Sequence, residues 1–362
     1  MTTFIGYRHE PPEQTVKGPG MPAIAPPTCP FPDRISPYAQ QAEEHLRAYL
    51  HRCGVFRTAA AADYYADSRL GFLTAQIYPD ALPERLLVLA EWYGVWTVFD
   101  DQLEKLADSR PPEATSVVAE AMLSWLPPSG AEPGLENAAE AQVPFAAGFG
   151  GTWARLRSGT TPAWQSRFRR HTTEYLDGCR WEAANRHAGV VPDLSDYITR
   201  RRRFGGIRMA MDLSEYGRGY ELAPAVHADP LVQELLDVLG DITLWGNDLF
   251  SVSVDREEGN LSNLVFVLQQ HHDCGVPEAA EAVSRMLDER LARLRALEAA
   301  LPDWYRVRGL DSDERAHVGY FVTGIHTWIS GNVYWSLQNP RYRTARSRVG
   351  DGQPNFLLSL LP

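Results

Sequence analysis

Lysine is nearly missing from this 362-residue chain: only Lys17 and Lys105 carry an ammonium. Acidic side chains outnumber basic ones, 46 to 35, and the net charge of −11 excludes bulk electrostatic attraction to nucleic acid or to an anionic membrane surface. A phosphate-bearing ligand would therefore need local arginines or metal ions. Almost all the positive charge is arginine, the side chain suited to forked phosphate contacts, although genomic base composition produces the same bias. Cysteine is sparse as well. Cys29, Cys53, Cys179 and Cys274 form no CxxC pair, which argues against a disulfide frame or a cysteine zinc site and for free thiols in a reducing compartment. No run approaches the ~18 apolar residues of a membrane helix and no basic leader opens the chain. A cytoplasmic protein without stable membrane insertion is expected, as a monomer or homodimer.

Strand-like alternation is also almost absent. Helical periodicity takes its place, and the spacing predicts helices over roughly 37–52, 60–77, 82–107, 113–126, 134–157, 162–188, 193–217, 229–258, 277–300 and 311–338, with prolines such as Pro79, Pro162, Pro230 and Pro302 between them. Residues 1–35 are rich in proline and glycine and read as an irregular, partly disordered arm. With no fixed repeat and no separating linker, the expected organisation is a single all-α bundle over 36–345, followed by a tail over 346–362.

Two buried-looking helices carry polar constellations. In the first, Asn247, Ser251 and Asp255 fall at i, i+4 and i+8, so an amide oxygen, a hydroxyl and a carboxylate share one face, with ~6 Å between successive members. Such hard oxygens suit Mg²⁺ shared with a phosphorylated ligand. A solvated helix face gives the same spacing, but Leu244, Trp245, Leu249, Phe250, Val252 and Val254 surround the column, and a helix apolar nearly all round is a buried one. In the second, the apolar run Trp92 to Phe99 ends at Asp100-Asp101-Gln102-Leu103-Glu104, placing Asp100 and Glu104 on one face. Desolvating such a pair without a cation is costly; the alternative is that the helix reaches solvent there, since Lys105 and Asp108 follow. A third group, Arg200 to Arg203, stands before Phe204 and the pair Gly205-Gly206, where two glycines invite a helix break.

Taken together these segments resemble the class I terpene synthases of the bacterial type, over about Pro30 to Tyr342. Asp100-Asp101-Gln102-Leu103-Glu104 is similar to that family's aspartate-rich motif. Asn247-Asp248, Ser251 and Asp255 follow its Asn, Ser, Glu triad, with Asp255 one methylene shorter than the family's glutamate and Val254 where a lysine is frequent. Arg256 is the candidate for the missing positive charge. The resemblance puts the diphosphate-sensing arginine at Arg201 and its linker and effector positions at Phe204 and Gly205. It puts the terminal Arg-Tyr pair at Arg341 and Tyr342, after the stretch from Trp328 through Asn332 to Trp335 and Ser336.

The resemblance implies a terpene cyclase acting on a linear prenyl diphosphate, farnesyl diphosphate first and geranylgeranyl diphosphate second. Three Mg²⁺ ions are implied, with Mn²⁺ as a possible substitute: Asp100 and Glu104 on one wall, Asn247, Ser251 and Asp255 on the other. Arg201, Arg341 and Tyr342 would bind the diphosphate and Asp101 would pair with Arg341. Trp96, Trp328 and Trp335 are candidates to face a carbocation, whereas Tyr93 reads as core. A chain-elongating prenyltransferase would show a second aspartate-rich motif in place of Asn247 to Asp255; a helical binding protein with a relict site is the remaining alternative.

Overall fold

Residues 24–131, 143–339, 342 and 353–361 are described by the computed structural model. They form α1 (Ala39–Cys53), α2 (Ala59–Ser68), α3 (Leu70–Ile77), α4 (Pro83–Ser109), α5 (Glu113–Ser124), α6 (Pro144–Ser158), α7 (Pro162–Ala188), α8 (Leu194–Phe204), α9 (Ile207–Arg218), α10 (Pro224–His227), α11 (Pro230–Glu257), α12 (Leu264–His272), α13 (Val276–Arg308), α14 (Ser312–Gln338) and a 3-10 helix, Phe356–Leu360. No strand occurs among the described residues, so the all-α bundle expected from the periodicity is what forms.

Two long helices organise the bundle. α4 packs against α1, α3, α6, α7 and α9, while α11 packs against α13, α14, α8 and α12. Both start with proline in the first turn, where a missing N–H costs nothing. Asp229 caps α11 by accepting from the Leu231 amide, and also accepts from the Trp304 indole at 3.0 Å, tying the start of α11 to the end of α13.

Several boundaries differ from expectation. The helix predicted over 60–77 breaks at Arg69, whose φ of 48° ends α2. Pro302 does not end its helix; α13 runs on to Arg308 because the stripe Leu294, Leu297, Leu301, Trp304 stays buried across it, and that packing outweighs one lost backbone bond. α12 was not anticipated at all. Of the segment predicted over 134–157, the part before Val143 lies outside the described residues, as do residues 1–23 of the arm.

A buried charge cluster fixes α9 to α7. Arg167 reaches Asp212 at 2.7 Å and Glu215 at 2.5 Å, and His171 Nδ1 meets Asp212 Oδ2 at 2.6 Å. At the C-terminal end, Gln102 of α4 accepts from the Phe356 amide (2.8 Å) and its backbone carbonyl accepts from Asn355 Nδ2 (2.8 Å), which seats the 3-10 helix with Leu357 fully buried.

Candidate active site

The helix at Asp100 does not reach solvent, because Asp101, Gln102, Leu103 and Leu106 beyond it are all buried. Asp100 and Glu104 instead face a cavity of about 190 Å³, more than ten times what one water occupies (~15 Å³) and hence a ligand space. Tyr175 of α7 donates to Asp100 Oδ1 at 2.6 Å. Burial, with Glu104 adding repulsion, pushes the Asp100 carboxyl up to about 8. Glu182 of α7 lines the same cavity and is pushed up to about 7, by burial first and then Glu104. Three carboxyl groups brought together at such cost fit a wall built for cations. Asp101 points elsewhere and accepts from the Tyr65 hydroxyl at 2.8 Å; its expected partner Arg341 lies outside the described residues.

The opposite wall is α11. Asn247, Ser251 and Asp255 all line the cavity, as their spacing requires. Ser251 Oγ donates to Asp255 Oδ2 at 2.6 Å, and Asn263 Nδ2 donates to the same oxygen at 2.9 Å. Asn263 is also the N-cap of α12, accepting from the Val265 amide, so one side chain begins that helix and steadies the column. Asn247 Nδ2 donates to the Tyr342 hydroxyl at 2.9 Å, which brings the expected diphosphate-binding tyrosine to this wall.

Between the walls stands the junction of α8 and α9. Gly206 has φ 68°, a left-handed conformation that side-chain-bearing residues avoid, and a Cβ on Gly205 would come within 2.3 Å of Leu244. The expected break is therefore present, and Arg201, Phe204 and Gly205 line the cavity beside it. Arg201 donates to Asp248 Oδ1 (2.8 Å) and to Asn247 Oδ1 (3.1 Å), and its guanidinium lies 4.7 Å from the centre of the Phe204 ring. Asp248 also accepts from the Tyr197 hydroxyl (2.6 Å) and the Leu264 amide (3.1 Å). Trp96, Trp328 and Trp335 line the cavity together with Tyr93.

Arg256 is not brought to the cavity. It is exposed and borders a separate surface groove with Val191 and Cys274, because one step past Asp255 turns the side chain about 100° round the helix. Asp248, which the resemblance already joins to Asn247, lines the cavity with Glu182, and Asn263 supports the column.

Comparison with known proteins agrees with this geometry. Residues 91–293, which span both walls, match the family described as "Terpene synthase family 2, C-terminal metal binding". This chain belongs to the terpene synthase family. Pristinol synthase of Streptomyces pristinaespiralis is 30% identical to this terpene synthase over 325 residues, covering 90% of the chain and 86% of the relative. A 4-epi-cubebol synthase of Streptosporangium roseum, named as cyclising (2E,6E)-farnesyl diphosphate, is 30% identical over 330 residues, 89% and 94% of the two chains. The crystal structure of α-eudesmol synthase superposes with a TM-score of 0.75 at 26% identity, covering 86% of this chain and 98% of that one. The protein is a terpene cyclase of the bacterial class I type, and its family's metal-binding region implies use of a divalent cation, generally Mg²⁺. Its own residues fit that cation: an amide oxygen, a hydroxyl and carboxylates, with no histidine or cysteine lining the cavity among the described residues.

Proposed function

We propose that this terpene synthase converts farnesyl diphosphate into a cyclic sesquiterpene hydrocarbon or alcohol with release of diphosphate, and that three divalent ions, Mg²⁺ or Mn²⁺, assist. The observation that carries the reading is one cavity lined both by two oxygen-rich walls and by aromatic rings. The naming of a close relative for farnesyl diphosphate cyclisation supports the fifteen-carbon chain.

In this reading Asp100 and Glu104 hold cations on the α4 wall, and Asn247, Ser251 and Asp255 on the α11 wall. Bound there, such cations act as Lewis acids that neutralise the phosphate oxygens. Arg201 and Tyr342 orient the diphosphate by charge-assisted and hydroxyl hydrogen bonds, joined by Arg341. The allylic C–O bond breaks with its electron pair leaving on the diphosphate, and a double bond of the chain attacks the resulting cation to close a ring. Proton loss or capture of a water molecule ends the sequence. The faces of Trp96, Trp328 and Trp335 stabilise the positive charge by cation–π attraction, about 2 kcal/mol where water is excluded.

Incubation of the purified protein with Mg²⁺ and the C10, C15 and C20 prenyl diphosphates, followed by gas chromatography of a pentane extract, tests the proposal. A cyclic C15 product is expected. Cyclic product from the C20 substrate alone would move the substrate assignment, and no product from any of the three would overturn the reading.

A further inference from the structure

Tyr93 stands seven residues before Asp100 on α4, hence on the same helix face and roughly 10 Å deeper in the cavity. Its hydroxyl lies 2.8 Å from the hydroxyl of Tyr78, and the Tyr78 hydroxyl lies 2.8 Å from the backbone carbonyl of Ala210 on α9. Tyr78 itself does not line the cavity; Tyr93 stands between it and the open space. Both phenols are buried, and burial pushes both well above the usual tyrosine range, so each keeps its single proton.

Proton counting then sets the direction of both hydrogen bonds. A carbonyl oxygen only accepts, so the one proton of Tyr78 is committed to Ala210. The contact between the two phenols therefore requires Tyr93 to donate to Tyr78. With its proton committed to Tyr78, the Tyr93 oxygen keeps its lone pairs, on a residue that lines the cavity. Trp96 and Trp328 pack around the same ring at centroid distances of 6.2 and 6.1 Å.

We infer that Tyr93 is a product-determining residue which presents an oxygen lone pair to positive charge migrating to the end of the cavity away from the diphosphate, and that Tyr78 is the positioning residue that enforces this polarity. The inference rests on the cyclase reading above. A donor O–H at that spot would repel a carbocation, whereas the lone pair holds charge there long enough for later ring closures. Removing the oxygen, or releasing its proton from Tyr78, favours early termination.

Tyr93→Phe and Tyr78→Phe test this with Mg²⁺ and farnesyl diphosphate, reading diphosphate release by a coupled pyrophosphatase assay and products by gas chromatography. Neither hydroxyl belongs to the metal or diphosphate machinery, so release rates should stay within about threefold of wild type. The share of acyclic and singly cyclised products should at least double, roughly, in both variants. Tyr78→Phe is the sharper arm, since it leaves the Tyr93 side chain in place and removes the acceptor of its proton; it decides alone if Tyr93→Phe fails to fold. Wild-type product profiles from Tyr78→Phe would overturn the inference, whatever Tyr93→Phe does. No diphosphate release by the wild type would overturn the cyclase reading itself, a separate result.

Discussion

Arg201 and Asp248 form a buried ion pair, Nη2 to Oδ1 2.8 Å, between residues 47 positions apart, and the same guanidinium nitrogen reaches Asn247 Oδ1 at 3.1 Å. The arginine expected to sense diphosphate is thus already docked on the α11 wall, and Asp248 keeps it charged despite burial. Removing either partner leaves an uncompensated buried charge. Arg201→Ala and Asp248→Ala are each expected to cost about 3–5 kcal/mol of stability. The double variant should cost less than the sum, as for partners in one network. Urea unfolding followed by circular dichroism measures all three; strict additivity would contradict the pairing.

Asn263 steadies Asp255, one of the proposed cation ligands. Its amide nitrogen holds Asp255 at 2.9 Å and the Asp248 carbonyl at 2.9 Å, while its oxygen caps α12. Asn263→Ala should lower stability by ~1 kcal/mol through the lost cap. It should also raise the Mg²⁺ concentration for half-maximal diphosphate release by about 10- to 100-fold, the usual loss when support for a metal ligand is removed. Asn263→Asp keeps the cap acceptor but sets a second buried carboxylate against Asp255, so metal-free stability should fall further rather than recover.

How far the chain could be understood without coordinates follows from where each signal lies. α4 and α11 are legible because both are apolar over many turns, and Asn247, Ser251 and Asp255 repeat at a period that only a helix face satisfies. Gly205-Gly206 announces its own break. The pairing of Arg201 with Asp248 is not legible: each belongs to a separate local pattern, and nothing local says that α8 packs on α11. α12 is hidden because Leu264 to Leu268 is an uninterrupted apolar run too short to display a helical period. Gln102 sits inside the acidic motif, yet its partners Asn355 and Phe356 follow some 250 residues later. Glu182 carries no spacing signal, and its role emerges only from the crowding of carboxyl groups around Asp100.

The Arg167 cluster should leave a mark on stability against pH. Burial pushes Glu215 up to about 8, against the pull of Arg167, whereas an unfolded chain releases that proton near 4.5. Between those values the folded state holds a proton the unfolded chain has lost, so this stabilisation fades as pH rises and is gone above about 8. His227, depressed to about 3 chiefly by burial, acts in the opposite sense only below its ordinary 6.5. Metal-free protein should therefore lose thermal stability between pH 6.5 and about 8.5, with Asp100 and Glu182 contributing in the same direction. Glu215→Gln should show a shallower decline in the melting temperature across that window; an equal slope would contradict the assignment.

The central claim is that the α4 and α11 walls hold divalent cations jointly with a diphosphate. Titration calorimetry of inorganic diphosphate into the purified protein tests it most directly, with and without Mg²⁺, for the wild type, Asp100→Asn and Asn247→Ala. Binding by the wild type only in the presence of Mg²⁺, and weakening of at least about tenfold in each single-wall variant with unchanged helical circular dichroism, is the expected result. Binding that needs no Mg²⁺, or that survives the loss of either wall undiminished, would contradict the two-walled site.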